Sequence, residues 1–76
     1  MIKQIVGEQP FQIINNGFSV SPSSEDYILQ YSSNGIDYTD WNEEVPAGET
    51  LVVTGLPLLP MYFRLKNNNS TVKLNY

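Results

Sequence analysis

Polarity changes with every second residue along most of this chain, and each alternating run is short. Over residues 26–32, Tyr27, Leu29 and Tyr31 share one face, while Ile28, Gln30 and Ser32 share the other. Over 50–56, Leu51 and Val53 oppose Val52 and Thr54; over 62–67, Phe63 and Leu65 oppose Tyr62, Arg64 and Lys66. Over 71–76, Val72, Leu74 and Tyr76 oppose Lys73 and Asn75; over 36–41, Ile36 and Tyr38 oppose Asp37, Thr39 and Trp41. A two-residue period means strands with one buried face. Val, Ile, Thr, Tyr and Phe fill these runs, as strand propensity favours. Residues 11–14 and 18–20 are two further short strands, and 1–10, with only Ile5-Val6 as an apolar pair, reads as an edge strand or an arm reaching a neighbouring subunit.

Turn residues occupy the gaps. Asn34-Gly35 supplies two positions that tolerate positive φ, as a tight hairpin requires, and this pairs Tyr31 with Tyr38 across the strands. Asn15-Asn16-Gly17, Pro46-Ala47-Gly48-Glu49 and Asn67-Asn68-Asn69-Ser70 are the other turns; Asn adopts left-handed backbone and bonds its own main chain. Two glycosylation sequons overlap in Asn68–Thr71 and read as turn chemistry. Ser23-Ser24-Glu25-Asp26 offers a helical start that the following strand pattern does not continue. Strands with turns about every 8–12 residues indicate an all-β fold, a small antiparallel β-sandwich or barrel of about six to seven strands.

At 76 residues the chain is one domain, residues 1–76. A domain of this size buries roughly 60% of its unfolded surface and is marginal alone. With no cysteine and no histidine, disulfides, thiolate metal sites and the commonest general base are excluded. Oligomerisation is the remaining means of adding buried area, so a homo-oligomer is expected. The net charge of −4, from eight acids and four bases, argues against nucleic acid and against anionic membranes. No apolar run approaches the roughly 20 residues of a membrane helix. The opening MIKQIVGEQP has the wrong make-up for a secretory signal, so the expectation is a complete chain made and kept in a cytoplasm, or carried outside as part of an assembly.

Five acids, Asp37, Asp40, Glu43, Glu44 and Glu49, lie within thirteen residues. Their spacing matches no EF-hand loop, and a domain this small offers little cleft for a glycosidase-like acid pair. They read either as a solvated face or as an interface. Three of the four bases, Arg64, Lys66 and Lys73, fall in the last thirteen residues. If 62–67 and 71–76 form a hairpin, an acidic and a basic hairpin complement one another within a chain or between subunits. The expectation is that Asp40, Glu43 or Glu44 meets Arg64 or Lys66 across subunits. The apolar connection Leu56-Pro57-Leu58-Leu59-Pro60-Met61 either plugs one end of the sandwich or docks to a partner through Leu58 and Leu59. Strict alternation turns Trp41 outward beside Asp37 and Thr39, where Trp41, Tyr38 and Asp37 would form a carbohydrate or receptor contact set; a bulge near Asp40 would turn it into the core.

The stretch YILQYSSNGIDYTDW, then VPAGETLVVTGLP and MYFRLKNN, resembles small Ig- or fibronectin-like β-sandwich virion proteins of tailed bacteriophages of gut Bacteroidales, including the crAss-like phages. The resemblance covers residues 26–76 and leaves the first 25 uncovered. It implies a non-enzymatic structural protein: an auxiliary or decoration protein of the capsid, or a head-fibre or tail component. Its implied partners are copies of itself, capsid or other virion proteins and, on the alternative reading, a host glycan. No cofactor, catalytic residue or metal ligand travels with it. Its implied place is the virion, assembled in the host cytoplasm.

Overall fold

The computed structural model describes residues 2–41, 43–56 and 60–76, with the backbone alone for Ile2. They form eight strands: β1 (Ile2–Val6), β2 (Phe11–Ile13), β3 (Gly17–Val20), β4 (Ile28–Ser32), β5 (Thr39–Asp40), β6 (Leu51–Thr54), β7 (Met61–Lys66) and β8 (Thr71–Asn75). Two four-stranded sheets result, ordered β1-β8-β3-β6 and β2-β7-β4-β5 (sheets A and B), and every neighbouring pair is antiparallel. The fold is the expected all-β sandwich, with eight strands rather than six to seven. The additional strand is β1, which pairs along its length with β8 of the same chain from Ile2↔Asn75 to Val6↔Thr71.

Alternation places the core between the sheets. Ile5, Phe18, Val20, Val53, Val72 and Leu74 enter from sheet A, and Phe11, Ile13, Leu29, Met61, Phe63 and Leu65 from sheet B. At its centre, Phe18 meets Phe63 at 4.8 Å and Phe11 at 5.5 Å between ring centroids. Phe11 stacks on Phe63 at 5.8 Å. Edge-to-face and offset ring pairs of this kind add about 0.5–1.5 kcal/mol beyond the area they bury.

Successive strands lie in different sheets at every connection except β4–β5. This overturns the basic hairpin expected from 62–67 and 71–76: β7 belongs to sheet B and β8 to sheet A, so Lys73 lies on the opposite side of the sandwich from Arg64 and Lys66. The pattern of inward residues is the same whether two strands lie side by side or stack across a core. Alternation alone therefore cannot distinguish a hairpin from an arch.

The β4–β5 hairpin forms where Asn34-Gly35 indicated, with a different register. Gly35 has φ +76°, whereas Asn34 does not have positive φ. Instead, the Asn34 carboxamide oxygen accepts the N–H groups of Ile36 (2.8 Å) and Asp37 (3.0 Å), and the Ser32 hydroxyl accepts those of Asn34 (3.2 Å) and Gly35 (2.9 Å). This Asx-type turn lies in a connection that runs from Ser33 to Tyr38 and shifts the register by one residue relative to a two-residue Asn-Gly loop. Tyr31 accordingly pairs with Thr39, not Tyr38. A one-residue slip exchanges the two faces of a strand. Tyr38 thus faces out, Ile36 is 78% exposed, and Trp41 turns in, its ring 5.2 Å from Tyr31 and 5.9 Å from Phe63.

One end of the sandwich is held by a polar cluster centred on Asn68, which is fully buried. Its side-chain oxygen accepts the hydroxyls of Ser23 (3.1 Å) and Ser70 (2.7 Å), and its amide donates to the carbonyls of Gly7 (3.3 Å) and Ser70 (3.2 Å). Glu8 and Glu25 accept the backbone N–H groups of Asn67 and Asn69, and Asn67 takes the left-handed backbone (φ +69°) anticipated for this turn. Three connections are thereby joined: β1–β2, β3–β4 and β7–β8. Burial of Asn68 also removes the first sequon asparagine from solvent.

Two consequences are testable by denaturant titration. Asn68→Ala leaves several buried groups unpaired and should cost about 2–3 kcal/mol; a loss below about 0.5 kcal/mol would show that this cluster is not holding the end together. Tyr27 is fully buried, its hydroxyl has no partner among the described residues, and burial pushes its pKa up to about 12. A raised tyrosine pKa contributes stability that is complete below the unfolded value near 10 and is lost as pH rises through 12. Tyr27→Phe should be neutral or stabilising at pH 7 and should lose less stability than the parent between pH 10 and 12; coincident pH profiles for the two proteins would refute the assignment.

Candidate functional site

The outer face of sheet B carries the residues singled out for charge. Gln30 stands between them: its amide donates to Asp40 Oδ1 at 2.8 Å, and its side-chain oxygen accepts the Arg64 Nε–H at 2.7 Å. Adjacent pairing of Gln30 with Asp40 on one side and Arg64 on the other makes this contact inevitable once the register is set. The Arg64 guanidinium also lies 4.3 Å from the centroid of the Tyr38 ring, a cation–π geometry. Gly35 folds over the neighbouring Tyr62 ring, at a distance where a β-carbon would sit 3.6 Å away. The acid Asp40 and the base Arg64 therefore meet inside one chain, through an amide that composition and spacing did not single out. Sequence offered only that Gln30 is polar within a strand; that an acid-bearing and a base-bearing strand flank it is decided by the sheet order.

The remaining residues singled out for an interface or ligand do not converge. Glu43, Glu44 and Lys66 are exposed; Leu58 and Leu59 lie outside the described residues. Trp41 faces the core while Tyr38 faces out, so Trp41, Tyr38 and Asp37 share no surface. Asp37 is exposed in the β4–β5 loop, where it accepts a long 3.5 Å contact from the Asn34 amide. Among the described residues no three acidic side chains come together in a group that could hold a metal ion, and no helix is long and apolar enough to cross a membrane.

The sheet edges are chemically unlike one another. β5 spans two residues and includes Asp40; β2 spans three and follows Pro10. β1 carries Lys3 in register with the buried Leu74, so a charge occupies an inward-directed position on that edge. Short length, proline and inward charges all hinder the addition of a further strand. β6, at four residues, is also short but carries neither proline nor charge. It reads Leu51-Val52-Val53-Thr54, without charge, glycine or proline. It pairs with β3 on one side and, among the described residues, with no strand on the other. Val52 is 66% exposed.

No protein-family model matches this chain, and comparison with curated proteins and with solved structures returns no match.

The Gln30 clasp has a measurable role. Gln30→Leu keeps the side-chain bulk but leaves Arg64 and Asp40 without their shared partner, and should cost about 1–2 kcal/mol of folding stability. Asp40→Asn combined with Gln30→Leu should lose less than the sum of the two single changes, as for residues in one network; strict additivity in a double-mutant cycle would show that the clasp does not couple them.

Proposed function

We propose that this protein is a non-enzymatic virion structural protein, an auxiliary or decoration protein of a tailed-phage capsid or a head-fibre or tail component, that assembles by edge-to-edge pairing of its β-sandwich. The observation that carries the reading is the β6 edge, which carries no charge or proline and pairs with no second strand among the described residues. An exposed, uncharged edge of β-branched residues is a template for another strand, and soluble domains generally block such edges. A second copy of β6 is the occupant we assign. Antiparallel pairing of β6 with itself is self-complementary about a two-fold axis, and it brings no like charges together on a chain whose net charge of −4 otherwise repels its copies. Such pairing adds the buried area that a domain of this size lacks.

The resemblance of residues 26–76 to phage sandwich proteins supplies the virion setting, and an assembly repeated many times needs only weak individual contacts. The core residues pack against one another between the sheets, and Asp40 and Arg64 on the face of sheet B are both held by Gln30; neither arrangement suits a catalytic cleft. In the receptor-binding alternative built on Trp41, Tyr38 and Asp37, Trp41 lends no outward surface, because the hairpin register turns its ring toward Tyr31 and Phe63.

Val52→Lys introduces a charge at the centre of β6 at an exposed position, so the monomer fold should be unchanged by circular dichroism. Sedimentation velocity should show the parent protein self-associating with concentration and the variant shifted to monomer by at least about tenfold in dissociation constant. A parent protein that stays monomeric throughout, or a variant that associates equally well, would remove β6 as the assembly edge.

A further inference from the structure

On the outer face of sheet A, where β3 leaves β8, there is an open pocket of about 310 Å³. We infer that it binds one unit of an acidic saccharide, a sugar ring bearing a carboxylate. The inference is independent of pairing at β6. Strands β3 and β8 are in register only at Ser19↔Asn75 and Val20↔Leu74. Beyond them, Ser21 clasps β8, donating its N–H to the Lys73 carbonyl (2.9 Å) and accepting the Lys73 N–H on its hydroxyl oxygen (2.9 Å). Pro22 then carries the chain away and, having no N–H, cannot extend the ladder. The gap this opens is closed on its far side by Thr50, just before β6.

The lining chemistry selects the ligand. Lys73 is the one charged residue among the described residues that line the pocket. A cation without a carboxylate in its own pocket, on a chain with eight acids and four bases, favours an anion. The hydroxyls of Ser19 and Thr50 and the carboxamide of Asn75 bond to no other described residue, and the Ser21 hydroxyl retains its proton to donate. These groups both donate and accept, as a ring of hydroxyls requires. Pro22, an exposed residue of the lining, adds an apolar part for the C–H face of a sugar. A bare inorganic anion would satisfy Lys73 and leave the amide, hydroxyls and apolar part unused. Lys73 and Asn75 are outward residues of β8, and Lys73 and Thr50 are exposed, so the ligand has direct access from solvent.

The test is titration of the isotope-labelled protein, followed through its backbone amide resonances, with methyl β-glucuronide, methyl β-glucoside and acetate. The sugars differ only in the carboxylate, and acetate supplies the carboxylate alone. We expect saturable shifts confined to the amides of Ser19, Ser21, Thr50, Lys73 and Asn75. Affinity for the glucuronide should exceed that for the glucoside and for acetate by about tenfold, the scale of one charge-assisted hydrogen bond. Lys73→Gln, a change at an exposed position, should abolish the preference for glucuronide over glucoside while leaving the amide spectrum folded. Equal binding of acetate and glucuronide would reduce the site to an anion hole and overturn the saccharide assignment. Absent shifts, shifts elsewhere, or an unchanged preference in the Lys73→Gln protein would overturn the site itself. Sedimentation of the same samples reads β6 pairing separately, so failure of one reading does not imply failure of the other.

Discussion

Phe63 is the residue on which both sheets close. It sits on β7, the strand that pairs with β2 on one side and β4 on the other. Its ring meets Phe11 within sheet B, Phe18 from sheet A, and Trp41 from the end of the β4–β5 hairpin. In a chain with no cysteine, this aromatic contact does what cross-links do in many small secreted domains: it pins the two layers against one another. The rest of the architecture needs it, because a four-stranded sheet with one apolar face has no stability until that face is covered.

Connectivity adds a second constraint. Since nearly every connection crosses from one sheet to the other, strands adjacent in the sheets are distant in the chain. β1 pairs with β8, and β2 with β7. Only β4–β5 is local. The cost of closing long loops must be met before the sheets repay it, and the ends of the chain are held by pairing with one another. The Asn68 cluster reinforces this arrangement by tying three connections at one end. A buried amide is costly when unpaired and specific when satisfied, so it fixes one way of bringing these connections together.

The two outer faces have different chemical characters. On sheet B, Gln30, Asp40, Arg64 and Tyr38 bind one another, and their charges are spent inside the chain. On sheet A, the hydroxyl, amide and ammonium groups around the β3–β8 divergence are left available, and β6 presents an open backbone edge. Sheet A is thus the side of the molecule with unfilled bonding capacity. The assembly edge and the saccharide pocket proposed here both lie on it.

Much was determined by sequence alone. Strict alternation in 62–67 and 71–76 identified Phe63, Leu65, Val72 and Leu74 as inward, and in 26–32 Tyr27, Leu29 and Tyr31 likewise, because a side chain's direction along a strand depends only on parity. The turn at Asn67–Ser70 was legible because few residues other than Gly and Asn accept positive φ. Tertiary structure decided what parity cannot express. Whether the neighbouring strand lies beside or across the core placed Lys73 opposite Arg64 rather than next to it. A one-residue shift of register in the hairpin after Ser32, stabilised by the Asn34 carboxamide, reversed the faces of Tyr38 and Trp41. Such a register shift is an energetic competition between turn hydrogen bonds and burial of a large aromatic ring. Its outcome depends on Phe63 being in place to receive Trp41, a contact between residues far apart in the chain.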